Sequence, residues 1–486
     1  MEQNIQQKPD YRLIFILLSG AFVALLSNTF LNVALPSIKN DFDITTSTVQ
    51  WVSTAYMLVS GIVIPTTAFL MQRFSSKTLF LAAMLLFLTG TLVAGLSPEF
   101  YILLIGRMIQ ASGSAILMPL LMTVMITSFP PARRGTAMGL FSLVMFFAPA
   151  IGPTLSGFIV QSFSWHMLFF MMVPVLLVVL TIGWFKLPKT ETKDAIKINI
   201  PSVILSTLGF GGILYGFSSA GNGGWTRPDV IITLVVGFIS VFLYVRKQTH
   251  MARPMLDFSV YKFPMFTLSS ILIGTMNMAL FSGMILMPIY LQDIQGISPI
   301  DTGLLLLPGA LIMGFMSPVS GKLFDMFGPK RLAITGLFLT IITTYFFSRL
   351  TFDTSYGFLI MLYSIRAFGM TLVMTPVMTN GMNQLTPKLT PHGSSINSML
   401  NQVSGAIGTA LLITIMQNRM NAKLQGVSST DEAVINQAML DGINFAFLIA
   451  TLMLLVALGL SFMLKRVTTD EILEDGITKA RPIEED

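Results

Sequence analysis

Apolar residues run along this chain in long blocks, separated by short stretches that hold nearly all of its charges. A helix needs about 20 apolar residues to cross the hydrocarbon core of a bilayer. Fourteen segments meet that length. The first eight are roughly 13–35, 50–71, 78–96, 100–122, 136–160, 165–185, 200–220 and 228–246. The other six are roughly 265–292, 303–322, 331–350, 356–377, 395–418 and 443–465. Lys and Arg test the count, because they collect in cytoplasmic loops. With the N-terminus inside, 22 of the 29 basic residues fall in the tails and even-numbered loops. A missed or invented span would scramble that alternation downstream, so the pattern predicts fourteen spans with both termini cytoplasmic.

Within the fifth segment the run Ala148-Pro149-Ala150-Ile151-Gly152-Pro153-Thr154-Leu155-Ser156-Gly157 breaks the apolar monotony. Gly and Pro weaken or kink a helix in water. In a membrane they are tolerated, and small residues let two helices approach closely. The run therefore predicts a bent, tightly packed transmembrane helix. It also belongs to an internal repeat. Gln72–Lys77 after the second span is matched by Asp325–Lys330 after the tenth, Arg107 by Arg366, and Ala150–Gly152 by Ala406–Gly408. The offsets are 253, 259 and 256 residues. Near-constant offsets mean two six-span halves with the seventh and eighth spans inserted between them, an arrangement that places a transport site near the midplane. The expected fold is an all-α integral membrane protein of two six-helix bundles plus two inserted helices. The expected division is 1–12 as cytoplasmic N-terminus, 13–185 as the first bundle, 186–264 as the linker with its two helices, 265–465 as the second bundle, and 466–486 as cytoplasmic tail. The polar stretch near 417–442 is expected outside, with room for a short surface helix.

Composition narrows the chemistry. Of 486 residues only 11% are charged, against roughly 25% in soluble domains. No cysteine is present, so no disulfide, thiolate metal site or Cys nucleophile exists. Three well-separated histidines make a His-based metal site an unpromising idea, and no metal or other cofactor is expected. The net charge of +6 reads as cytoplasmic loop charge rather than nucleic-acid binding. The first apolar run is too long for a cleaved signal peptide and is read as a retained span.

The motifs resemble the major facilitator superfamily, and within it the fourteen-span drug/proton antiporter branch. Leu25–Pro36 is similar to that branch's first-span signature, Arg107–Gly113 to its fourth-span motif, and Ala148–Gly157 to its antiporter motif. Gly321–Lys330 is similar to the loop motif that follows the second span of each half. Pro254–Asp257 and Tyr290–Asp293 resemble further pieces of the branch, and Phe129–Gly135 resembles the lincomycin-resistance-type exporters. The resemblance implies a major facilitator fold, a cell-membrane location and export of small molecules. Two departures stand out. Ser27 occupies the place of the family's first-span Asp, and the first loop copy has Gln72 and Ser75 where Asp and Gly are usual. A first-span carboxylate is thus not available for coupling.

Candidate working residues follow from the cost of polarity in a bilayer. An Arg at the centre of a span costs about 2.5–3.5 kcal/mol on insertion scales, so it faces protein or water. Arg107 and Gln110 share a helix face, as do Asn28 and Asn32. These four are expected to form a polar cluster, either at the substrate path or as an interhelical clamp. Arg366 is the counterpart in the second half, with Asn277, Asn397, Asn401 and Gln402 as candidate partners. Tyr56 and Tyr290 are expected to line the path. The coupling candidates are Asp293, then Asp41, Asp43 and His166, each of which also reads as a solvated interfacial residue. Gly152, Pro153 and Gly157 are expected to seal the path between the halves. Asp325, Gly328, Lys330 and Arg331 are expected to form an ion-pair latch that changes between inward- and outward-open forms. The 34 Met and 38 Phe suit an adaptable apolar cavity.

The resulting expectation is a secondary exporter of amphipathic small molecules, driven by protons and working as a monomer in the lipid bilayer. No G-x-x-x-x-G-K-[ST] loop is present to argue for ATP. The rivals are a lipid or glycolipid flippase or metabolite exporter of the same fold, and, from another class, a membrane sensor or membrane enzyme.

Overall fold

The computed structural model describes residues 11–188, 198–424 and 432–467. The expected termini before residue 11 and after residue 467, and the middle of the 417–442 stretch, lie outside the described residues.

Among the described residues, fourteen helices are long and apolar enough to cross a membrane. The first bundle contains α1 (Tyr11–Asp41), α2 (Trp51–Arg73), α3 (Ser76–Gly95), α4 (Phe100–Ser128), α5 (Arg134–Ser162) and α6 (Met172–Lys186). Two helices follow, α7 (Ile200–Gly223) and α8 (Pro228–His250). The second bundle contains α9 (Pro264–Ile289), α10 (Pro299–Phe327), α11 (Pro329–Phe347), α12 (Tyr356–Asn383), α13 (Thr390–Leu424) and α14 (Glu432–Ser461). No β-strand occurs among the described residues. The helices overrun the hydrophobic segments by several residues, because backbone bonding continues past the last apolar side chain. The polar stretch near 417–442 is mostly such overrun: its flanks extend α13 and α14 and do not form a separate helix.

Local chemistry sets the ends. Proline opens α8, α9, α10 and α11, where its missing N–H costs nothing. The side chains of Ser75, Ser298 and Ser355 cap α3, α10 and α12. Gly328 joins α10 to α11 at φ +76°, a conformation that glycine adopts without a Cβ penalty. Exposed side chains such as Phe15, Trp184, Phe185, Phe242 and Val456 would be a liability in water; here they form the lipid-facing surface.

Each bundle packs on itself through its own helix pairs, such as α3 with α4 and α11 with α12. Between bundles the most extensive contact is α5 against α10, and a lesser one joins α2 to α13. The inserted α7 packs on both α2 and α13, whereas α8 pairs chiefly with α7 and is the least enclosed of the spans. The first and last described residues lie toward one end of the molecule: Tyr11 packs edge-on to Phe129 on the connection between α4 and α5, and Arg466 donates to the Asp325 carbonyl oxygen at 2.7 Å. This is called the basic end below, and the opposite one the far end.

Candidate functional site

The most enclosed span is α4, and it carries Arg107. Arg107 is fully buried. Gly90 and Gly106 let α3 and α4 approach so closely that a Cβ on either would meet the other helix's backbone. That approach brings Thr91 to Gln110. The Gln110 amide donates to Thr91 Oγ1 at 2.8 Å and to Ser27 Oγ at 3.1 Å, and its oxygen accepts from Arg107. Arg107 also donates to Asn28 Oδ1 at 3.4 Å, and its guanidinium carbon lies 4.2 Å from the centre of the Tyr56 ring. Tyr56 thus meets Arg107 directly through its ring face, a cation–π contact worth about 2 kcal/mol when desolvated. Asn28 is exposed although it sits far inside α1, so the cluster has one polar member at an accessible surface. Asn32 is placed on the same helix by its backbone alone. Ser27, noted in the sequence beside Asn28, and Thr91, which sequence reasoning missed, complete the amide's bonds. Ser27 stands in the place of the family's first-span Asp, and its hydroxyl accepts a bond there.

Arg366 is as deeply buried, but its partners differ from those expected. It donates to Thr344 Oγ1 at 3.2 Å and to the Ala279 carbonyl oxygen. Gly283 makes room for it, since a Cβ there would overlap the guanidinium. None of Asn277, Asn397, Asn401 or Gln402 bonds to it. Asn277 is buried with its amide nitrogen lacking a protein partner, and Gln402 lines a separate cavity. The residue spacing suggested shared depth, but α9 presents its carbonyl edge to the arginine in preference to its asparagine.

That cavity, about 230 Å³, lies toward the far end where α2, α7, α9 and α13 converge. Ser53, Thr54, Ser218, Gln402 and Thr409 give it hydrogen-bonding walls, and Met57 and Phe281 give it apolar ones. A larger groove of about 410 Å³ between α2, α7 and α8 is lined mainly by apolar side chains such as Leu58, Ile62, Leu208 and Val236. It contains no charged side chain and stands apart from either arginine. Tyr290, expected on a cavity wall, is instead a brace at the far end. Its hydroxyl donates to the Thr351 carbonyl at 2.6 Å and accepts from Gln295 at 2.9 Å.

The run Ala148–Gly157 also has a different neighbour from the one expected. A Cβ on Gly152 would overlap Thr29, and Ser156 Oγ donates to the Phe30 carbonyl at 2.6 Å. Both contacts are to α1 of the same bundle. Nothing lies within 4 Å of a Cβ on Gly157, and Pro153 is placed by backbone alone. The seal between bundles is made earlier on α5. Gly135 meets Gly321 backbone to backbone, Gly139 meets Ser317 and Pro318, and Phe147 packs over Gly314. The Phe147 ring also lies 5.2 Å from that of Phe315.

Polar bonds add to this seal at the basic end. The Asp325 carboxylate on α10 accepts from the backbone N–H groups of Gly135 and Thr136, both at 2.9 Å, and from Thr136 Oγ1 at 2.7 Å. It therefore occupies the N-terminus of α5, where the free N–H groups and the helix dipole favour an anion. The expected ion pairs with Lys330 and Arg331 are replaced by these bonds; both basic side chains are exposed, and Gly328 packs against the Arg466 side chain. Arg134 donates to Asn383 Oδ1 at 3.3 Å, and the hydroxyls of Thr123 and Ser394 bond across the α4–α13 contact. The side chains of Gln72 and His392 meet at 2.6 Å across α2 and α13. Lys77, in the first loop copy, caps the end of α6 through the carbonyls of Trp184 and Leu187.

The coupling candidates all lie toward the far end. Asp41, Asp43 and Asp293 are exposed. Asp41 accepts from Trp165 Nε1 at 2.9 Å, and that ring stacks on His166 at 3.6 Å, so these three residues come together. Asp43 and Asp293 do not join them.

Comparison with known proteins agrees with this architecture. The family model described as Major Facilitator Superfamily matches residues 17–409. The uncharacterized MFS-type transporter YhcA of Bacillus subtilis is 44% identical, over 96% of this chain and 94% of its own. The lincomycin resistance protein LmrB of the same organism is 40% identical, over 97% and 99%. The crystal structure of the human organic anion transporter MFSD10 superposes with a TM-score of 0.63 at 14% identity, over 92% of this chain and all of that one.

Proposed function

This chain belongs to the Major Facilitator Superfamily, and from that premise we propose that it exports amphipathic small molecules, drugs among them, by proton antiport with alternating access. It is a multi-pass cell-membrane transporter and not an enzyme. The basic end faces the cytoplasm in this reading, which the distribution of Lys and Arg supports. The bundles rock as units, with residues 186–264 as the connection that carries α7 and α8.

The observation that carries the reading is one-ended closure. The polar bonds between bundles collect at the basic end, while the converging helices leave a mixed polar and apolar cavity toward the far end. A transporter closed on one side and able to exchange its contents on the other has this form. Arg107, Gln110, Asn28 and Tyr56 supply the polar side of the path in the first bundle. Asp41, Trp165 and His166 form the group best placed to meet protons at the far end. The resistance protein LmrB supports drugs as the substrate class.

Efflux of a compound panel from cells and uptake into everted vesicles, each with and without a pH gradient, tests this. Transport should require the gradient, and Arg107→Ala should abolish it while expression survives. Gradient-independent transport would remove antiport, and unchanged transport in Arg107→Ala would reduce the cluster to a clamp between helices. A second reading, export of an anionic amphiphile or lipid, is favoured by the neutral partners of both buried arginines. Including anionic lipids in the panel separates the two.

A further inference from the structure

The two closures at the basic end are copies of one another in sequence but not in chemistry. The offset of 253 residues that carries Lys77 onto Lys330 also carries Gln72 onto Asp325. The offset of 256 that carries Gly152 onto Gly408 carries Thr136 onto His392. One closure is therefore Asp325 on α10 against the first turn of α5. The other is Gln72 on α2 against His392 in the first turn of α13. The carboxylate of the first has become an amide in the second, and the hydroxyl facing it has become an imidazole.

We propose that His392 is the proton-operated part of the basic-end closure, holding α2 and the linker to α13 when neutral and releasing the linker when protonated. This rests on the alternating-access reading above. The geometry fixes the resting form. The backbone N–H of Asp257 donates to His392 Nδ1 at 3.0 Å, so Nδ1 bears no proton and the ring is neutral, with its hydrogen on Nε2. A flip makes the amide oxygen and nitrogen of Gln72 interchangeable, and a proton on Nε2 selects the oxygen as its neighbour. The ring is only 5% exposed. The linker reaches it through Pro254–Asp257, a stretch also tied to α8: Gln248 Oε1 accepts from the N–H groups of Met255 and Leu256, at 2.7 and 3.3 Å. One imidazole thus gathers α2, the α8 linker and α13.

Protonation of Nδ1 changes that arrangement at one atom. The acceptor becomes a donor, the Asp257 N–H loses its partner, and an imidazolium is left in a closed interface. Burying a charge without full pairing is costly, and opening the bundle ends returns water to it. Among the described residues, Asp257 is the charged group that acts on the ring, and its carboxylate is held by the Ser259 N–H at 2.8 Å. Arg73 on α2 lies over the Phe74 ring, and Lys388 ahead of α13 is exposed. The neighbouring turn is covered by Met382, Leu385 and Phe266, which offer no charge. The proton therefore acts as a ligand that prefers the open form, and it shifts the population toward that form.

The absence of cysteine makes the test direct. Cysteines introduced as Ser76→Cys and Lys388→Cys carry spin labels across the α2–α13 side of the full chain in nanodiscs. Distances are read between about pH 7.5 and about pH 5.5, which spans the ordinary imidazole range. The long-distance population should rise at least about threefold with acid in the parent protein and stay flat in His392→Gln. Asp257→Asn removes an anion that steadies the imidazolium in the closed form alone, so the midpoint of acid opening should stay in place or rise, and a fall in it would count against release of the linker. A pH response that survives in His392→Gln, or a parent protein with none, overturns the proposal. If Asp325→Asn opens the label pair while acid does not, only the role of His392 falls. If no variant, pH or substrate changes any distance, the rocking reading falls with it.

Discussion

The α5–α10 and α2–α13 contacts occupy equivalent places in the two bundles, yet they are built differently. On the α5–α10 side, Gly135, Gly139 and Gly321 bring backbones together, Gly314 makes room for the Phe147 side chain, and the Asp325 carboxylate completes the contact at a helix N-terminus. On the α2–α13 side the counterpart of Gly314 is Gly61, by the same offset of 253 residues. A Cβ on Gly61 would overlap Leu214 of the inserted α7. Thus α7 occupies on one side the place that α5 of the other bundle takes directly on the other side. The lesson is that the extra helices make the transporter asymmetric: a close, small-residue hinge on one side, and on the other a looser contact filled by α7 and held by side chains. A backbone contact is set by shape and hardly responds to solution conditions. A contact held by an amide and an imidazole can respond to protons.

The comparison breaks most completely at Gly321. Gly321→Leu places a side chain into the Gly135 backbone, and overpacking of this kind costs about 1–3 kcal/mol or more. Basic-end closure and efflux should be lost, while each bundle keeps its own packing; thermal unfolding in detergent measures the second point and a label pair such as Arg133→Cys with Met326→Cys the first. Asp325→Asn is the intermediate case. It removes the charge at the α5 N-terminus and weakens three hydrogen bonds, and bonds to charged groups are worth about 1.5–3 kcal/mol. The same label pair should show an increased open population and efflux should fall without vanishing. Thr123→Val is the smallest. It removes one bond to Ser394, about 0.5–1.5 kcal/mol, and should raise the open population on the α13 side alone. An equal effect of Thr123→Val at both label pairs would mean that the two sides open as one rigid unit and that their difference in construction has no mechanical consequence.

Much of this was legible beforehand because membranes impose simple rules. Length and apolarity located the fourteen spans, and the repeats placed Arg107 opposite Arg366 and Asp325 opposite Gln72. The i, i+3 spacing placed Gln110 beside Arg107, and that bond is present. Partners on other helices were less accessible. Arg366 finds Thr344 and the Ala279 carbonyl where asparagines were expected, because a helix's rotation about its own axis leaves only a faint trace in a sequence that is apolar on every face. The same limit misdirected Gly152, which packs on α1 of its own bundle. Tyr290 likewise became a far-end brace through a wider helical turn, Tyr290–Ile294, following Pro288.

His392 shows the division most clearly. In the sequence it is one of three isolated histidines in a polar stretch ahead of a span, and nothing near it suggests chemistry. Its meaning comes from Gln72, 320 residues away, and from the Asp257 N–H, 135 residues away. The sequence by itself determined the number of spans, their alternation and their pairing into repeats, because hydrocarbon thickness and charge cost act locally on every segment. Only the tertiary structure decided which end is closed, which glycines touch and which imidazole meets an amide. Those depend on helix rotation and tilt, set by packing across the whole molecule.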